Sequence, residues 1–460
     1  MAGALVLAGG SLLAGGAPAA AAAHITVGPM LLERFGSIHQ PLTEEQCEAA
    51  ITVPCYVPAQ LQTAYHEQPL FKDGITGKGE TIVIVDSFGS PTIKADLATF
   101  DAEFNLAAPP SFKIIQPAGK VPAWNPDNSS EVGWAGETTL DVEWSHTIAP
   151  GASILLVETP VAETEGTAGM PQIVEAENYV INHHLGQVIS QSFGATEPTF
   201  PSAALIEGLR SAYINAQRNN VTVLAATGDA GATDYSNPAG TLLYTHRAVN
   251  WPASDPLVTA VGGTQLELLD NGSRTEADRV WDDTDNYALN NDGNGTPGPL
   301  ANAGGGGLST VFSRPSYQDS VASVVGTQRG TPDISMSAAC SGLVNTYQSF
   351  PGQQPGWYLV CGTSEATPLF AGVVALADQE AGHSLGLINP ALYALSAEHA
   401  PGIVDVTSGD NSVSFLQPTL ITVKGYAAGP GYDLASGVGT VNAALFVPEL
   451  AETAGGGYGG

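Results

Sequence analysis

Ser364 stands in the stretch CGTSEATPLFAG, residues 361–372, between two threonines and ahead of an apolar run. Gly362 permits a tight turn, and Pro368 with the run after it reads as the opening of a buried helix. The serine oxygen would then face main-chain N–H groups and the positive end of a helix dipole, a setting that suits a nucleophile. A Thr-Ser pair that only caps the helix is the competing reading. As a nucleophile the hydroxyl needs a base to take its proton. None of the nine histidines lies in a Gly-rich HGTH-like setting, and the chain has neither an HExxH nor a G-x-S-x-G motif. Carboxylates are the alternative. In GETTLDVEWSHTIAPGA, residues 136–152, Glu137 and Asp141 are four apart and share one face of a helix. Their repulsion raises one pKa, so one group can hold a proton while the other accepts one. Leu140, Val142, Trp144, Ile148 and Pro150 surround the pair, which favours partial burial over the solvated acidic face that spacing alone allows. A third acid, Asp229, closes the apolar run VTVLAATGD; it is either an ordinary turn residue or, when protonated, a donor to a developing oxyanion.

Elements far apart in the chain must bring these groups together. ETIVIVDSF, SILLVETP, GQVISQSF and VTVLAATGD read as buried strands, and QIVEAENYVINHH and AALIEGLRSAYINAQRN as helices. Their alternation predicts an α/β fold around a parallel sheet. In ANAGGGGLSTVFSRPSYQ, Gly304 to Gly307 form either a bare strand edge for an extended peptide or a flexible linker. The acidic stretch DDTDNYALNNDGNGTPG, residues 282–298, lacks the Gly and Glu positions of an EF-hand and reads as a surface insertion.

With these motifs in order, the chain resembles the sedolisins, the serine-carboxyl peptidases. The match rests on GETTLDVEW, ATGDAG and GTSEATP, with support from YVPAQLQTAY, GKGETIVIVDSFGSP, WPASDPLVTAVGGT and GYDLASGVGTVNAALF, together spanning roughly residues 55–447. The resemblance implies a subtilisin-like fold, a single large domain whose mostly parallel central sheet is flanked by helices. It also implies an acid-active endopeptidase that cuts protein or peptide substrates through an acyl-enzyme. In that reading Ser364 is the nucleophile, Glu137 the general base and then acid, Asp141 the orienter of Glu137, and Asp229 the oxyanion donor. Asp86, at the end of TIVIVD, takes the place of a further acid linked to the pair. Phe193 replaces a Trp common in the family and cannot hydrogen-bond, so a relay from Asp86 through that position is not expected. The family likewise implies one calcium site, with carboxylates from Asp405 and Asp433 and carbonyls from Val406, Gly429 and Gly431; such hard oxygen ligands suit Ca²⁺. The insertion SVSFLQPTLITVKGY separates the two halves of that site.

The composition agrees with acid conditions. Against 45 Asp and Glu there are 14 Lys and Arg, a formal net charge of -31 at pH 7. At low pH most carboxylates become neutral, and so few cations leave little positive self-repulsion. The same balance argues against a nucleic-acid partner. Residues 1–25 read as a signal peptide, apolar with an A-x-A pattern but without a basic start, and predict secretion rather than stable membrane association. Residues 26–55 read as a short leader, 56–450 as the peptidase domain and 451–460 as a Gly-rich tail. The leader is too short for the prodomain usual in the family, so the enzyme either folds without one or is part of a longer precursor. Four cysteines fit export, and their spacing predicts the pairs Cys47–Cys55 and Cys340–Cys361. A monomer is expected. Two rival readings stay open: a neutral subtilisin-like peptidase with His146 as base, and an inactive binding protein on the same scaffold.

Overall fold

The computed structural model describes residues 40–286 and 300–455. The expected signal peptide, most of the 282–298 insertion and the end of the Gly-rich tail lie outside them.

The β-branched runs seen in the sequence form the centre of one sheet. Its strands are β1 (Thr81–Ser87), β2 (Phe112–Ile115), β3 (Ser153–Thr159), β4 (Val188–Gln191), β5 (Thr222–Ala226), β6 (Thr259–Gln265), β7 (Arg279–Val280) and β8 (Ile334–Ser337). They lie in the order β7-β6-β5-β4-β1-β3-β2, with β8 paired to β6 off that path. Every pairing is parallel except that of β7 with β6. Parallel strands are covered on both faces, which is why the runs are apolar throughout instead of alternating. Ile82 and Ile84 point into one apolar layer and Val83 and Val85 into the other.

Helices supply both covers. On the first face lie α1 (Ile93–Phe104), α2 (Ser129–Ile148), α5 (Thr363–Ala381) and α6 (Ala443–Gly455); on the second lie α3 (Met170–Asn182) and α4 (Ser211–Arg218). Helix α2 is capped by Asn128, whose side chain accepts from the Ser130 N–H at 3.1 Å. Every residue of it from Trp134 to Ile148 is buried. It therefore has no solvent face on which Glu137 and Asp141 could sit as ordinary surface acids. Helix α5 runs beside it, with Ile148 filling the space over Gly372.

Both expected disulfides are present, Cys47–Cys55 and Cys340–Cys361. The first ties the short helix Glu44–Ile51 to the strand Cys55–Tyr56, which pairs with Leu343–Val344. The insertion near the C-terminal end is a hairpin of Val413–Leu416 and Leu420–Val423. Its inner residues Val413, Phe415 and Val423 pack on Ala230, Ala301 and Ala303, and the Asn411 carbonyl accepts from the Ala232 N–H at 3.0 Å. Among the described residues no helix is long and apolar enough to cross a membrane.

Candidate active site

Three parallel strands end at one edge of the sheet, the place where open α/β sheets bind ligands. β1 ends with Asp86 and Ser87, β4 leads into Ser192, and β5 into the turn that carries Asp229. Helix α5 begins over the same edge. Gly362, with φ of 120°, makes the entry turn in a conformation that a side chain would strain, and Ser364 is the second residue of the helix. Pro368 lies inside this helix and not at its start, contrary to the sequence expectation. Having no N–H, it leaves the Ser364 carbonyl without the usual helical donor.

The structure brings Ser364, Asp141 and Asp229 into one buried group. The Ser364 hydroxyl lies 3.5 Å from the Ser192 carbonyl, and the Ser192 hydroxyl donates to Asp141 Oδ1 at 2.7 Å. Asp229 Oδ1 accepts from the Thr363 N–H at 2.7 Å and from the Thr363 hydroxyl at 2.8 Å. The Gly228 N–H in turn donates to that hydroxyl at 3.1 Å, so the residue before Ser364 is clasped by the Asp229 turn. Asp229 Oδ2 is buried and has no hydrogen-bond partner among the described residues. Glu137 lies one helical turn before Asp141 on α2, and its charge acts on Asp141.

Burial sets the protonation of these acids. It pushes Asp141 well above the usual carboxylate range, assisted by the neighbouring Asp86 and Glu137 and opposed by the Ser192 hydrogen bond. Asp86 rises to about 7, mainly through burial. The Asp86 and Asp141 carboxyls lie close enough for each to bear on the other's protonation. Phe193 takes no part and packs instead against Trp134, with ring centroids 6.1 Å apart. Burial also raises Asp229 well above its ordinary value, against the pull of both Thr363 hydrogen bonds.

His146 is not part of this group. Its Nε2 bonds the Ala107 carbonyl at 2.8 Å and lies 3.4 Å from Asp101 of α1, and burial lowers its pKa to about 4. A ring committed there removes the reason for a histidine base. The glycine run is also not the bare peptide-binding edge that was one reading of it. Residues 304–307 are buried, and a Cβ on Gly305 would strike the Thr227 carbonyl, one on Gly306 the Leu434 carbonyl. The Ala303 N–H donates to the Asp229 carbonyl at 2.9 Å and the Gly305 N–H to the Gly228 carbonyl at 2.7 Å. The run is a strut that holds the Asp229 turn from behind. Sequence reasoning missed this role, as it missed Thr363 and Ser192, although both lie inside stretches singled out above.

The five residues expected at a calcium site also gather in one loop cluster. The Gly431 N–H donates to Asp405 at 2.8 Å and the Gly429 N–H to Asp433 at 3.0 Å, while Val406 is buried beside Asp405. The chemistry of the set, two carboxylates among main-chain carbonyls, fits a hard divalent cation. Among the described residues no group of three or more His, Cys, Asp or Glu side chains stands in a metal-binding arrangement.

A profile of the Subtilase family matches residues 118–408. The chain belongs to that family. Within the subtilases it groups with the sedolisins. It is 30% identical over 392 residues to kumamolisin of Bacillus sp. (strain MN-32), covering 84% of this chain and 62% of the relative. It is 29% identical over 400 residues to sedolisin of Pseudomonas sp. (strain 101), covering 86% and 61%. The fold matches the structure of Pseudomonas sedolisin, a serine-carboxyl proteinase complexed with two molecules of pseudo-iodotyrostatin, with a TM-score of 0.68 and 27% identity, over 86% of this chain and 97% of that one. The resemblance drawn from GETTLDVEW, ATGDAG and GTSEATP and the subtilisin-like α/β fold are thereby borne out. This subtilase chain spans about three fifths of the length of the two curated relatives named.

Proposed function

We propose that the chain is an acid-active, secreted serine-type endopeptidase working on protein or peptide substrates, with residues 56–450 as its peptidase domain. One observation carries the reading. The acid beside Ser364 that could meet an oxyanion, Asp229, is held through Oδ1 by Thr363 while its buried Oδ2 stays without a partner. Burial favours the protonated form of this carboxyl, and a protonated Oδ2 donates.

Ser364 attacks the scissile carbonyl carbon as its hydroxyl proton passes to the ionised Glu137. The carbonyl oxygen becomes an oxyanion and accepts from Asp229. Collapse expels the amine, which takes the proton from Glu137 and leaves an acyl-enzyme on Ser364. Water then attacks the ester, gives its proton to Glu137, and the acid is released as Ser364 regains a proton. Asp141 orients Glu137 throughout, and Asp86 supports Asp141. Turnover needs Glu137 ionised and Asp229 protonated, which confines it to acid.

Asp405, Asp433 and the carbonyls of Val406, Gly429 and Gly431 would hold one Ca²⁺, which would brace the C-terminal loops. Secretion is supported by the two disulfides, and a monomer without nucleic-acid or membrane partners fits the strongly acidic chain. The test is hydrolysis of a denatured protein by the purified chain from about pH 2 to pH 9, beside Ser364→Ala. An acid maximum that is lost in the variant is expected; activity only near neutrality, or activity that survives Ser364→Ala, overturns the reading.

A further inference from the structure

Ser192 follows β4 and touches both halves of the proposed catalytic group. Its hydroxyl donates to Asp141 Oδ1 at 2.7 Å, and its own carbonyl lies 3.5 Å from the Ser364 hydroxyl. The residue is fully buried, so water does not compete for either contact. A hydroxyl has one proton to give. A second acceptor within reach is the Ser364 carbonyl, 3.3 Å away. Bonds of this kind favour about 2.7–2.8 Å, and Asp141 therefore receives the proton.

We propose that Ser192 is a positioning residue that decides which oxygen of Asp141 carries a proton and holds the carboxyl pair in register with the nucleophile. The inference rests on the reading of Glu137 as general base. A carboxylic acid accepts through one oxygen and donates through the other. With Oδ1 accepting from Ser192, a proton on Asp141 sits on Oδ2, free to be exchanged with the carboxyls that crowd Asp141, Asp86 from β1 and Glu137 from α2. Asp141 then steadies Glu137 as an acceptor instead of competing for the Ser364 proton. The role parallels that of an acid which fixes the tautomer of a catalytic histidine. Because the donor and the carbonyl belong to one residue, a single short segment sets the distance between the acids of α2 and the serine of α5.

The test compares Ser192→Ala, Ser192→Thr and Glu137→Gln in the full chain by steady-state kinetics from pH 2 to pH 7, with unfolding midpoints at pH 4 to verify folding. The Ser192 hydrogen bond favours the ionised form of the carboxyl pair, so its loss should move the acid limb of kcat up by about one pH unit and lower kcat about 10- to 100-fold. KM should change by less than about threefold, and Ser192→Thr, which keeps the hydroxyl, should recover most of kcat. If Ser192→Ala does not fold, Ser192→Cys, similar in size and a weak donor, carries the same readouts. A folded Ser192→Ala or Ser192→Cys with the parent profile, or with KM raised and kcat unchanged, overturns the proposal while leaving the base in place. Turnover that survives Glu137→Gln overturns the base itself, and this proposal with it.

Discussion

Glu177 should make the protein lose stability as pH rises, and Glu177→Gln should remove much of that loss. The side chain projects from α3 into the second apolar layer near Tyr213, is fully buried, and has no hydrogen-bond partner at either oxygen among the described residues. Burial alone raises its pKa from 4.5 to about 8. A group held neutral in the fold contributes its stability below the unfolded pKa and loses it as pH climbs through the folded one. From 4.5 to about 8 the whole loss is about 5 kcal/mol, and about 3 kcal/mol of it has occurred by pH 7. Gln has no charge to desolvate; its own cost in this site is the same at every pH. Unfolding free energies from denaturant titrations at pH 4.5 and pH 7 isolate the effect as a difference of differences. The drop between the two pH values should be about 3 kcal/mol smaller in Glu177→Gln than in the parent. Equal drops would mean that Glu177 is solvated or paired in solution, and the reasoning from burial would fail.

Two further outcomes follow from the site. Asp229→Ala should lower kcat about 10²- to 10³-fold with little change in KM. Asp229→Asn, which keeps the acceptor for Thr363 and offers an N–H that does not titrate, should stay within about tenfold of the parent and keep its activity at higher pH, because the parent loses the donor as Asp229 ionises; an unchanged alkaline limb in the pH–rate profile would place the donor elsewhere. Excess chelator, or Asp405→Ala, should lower the unfolding midpoint by several degrees through loss of a ligand bound to the native state. Midpoints indifferent to chelator, with no calcium in elemental analysis, would remove the metal from the proposal.

Much of the framework was legible because it is written in local patterns. TIVIVD became β1 and VTVLAATGD became β5 with its terminal turn, since an uninterrupted β-branched run fits only a strand covered on both faces. Ser364, Asp229 and the Glu137–Asp141 pair could be picked out because each lies in its own short motif. Ser192 could not, as its importance lies in meeting Asp141 and Ser364, 51 and 172 residues away. The glycine run offered two readings and obeyed neither. What constrains it is a neighbouring backbone, and a run of residues without side chains looks the same whether it is bare or tightly enclosed. His146 lay close to Asp141 in the chain, yet the helix turns it toward α1, a difference of direction that sequence distance does not carry.

The hairpin inserted between Asp405 and Gly429 gives the molecule a lever. One end of this arm is rooted in the loops proposed to grip the cation, and the other presses on Ala230 and the Ala232 N–H, within three residues of Asp229, the proposed oxyanion donor. Slack introduced at the root would be delivered as misalignment at Asp229, far upstream in the chain, without any melting of the sheet between them. Turnover would then register the grip of the distant loops earlier than the melting temperature does.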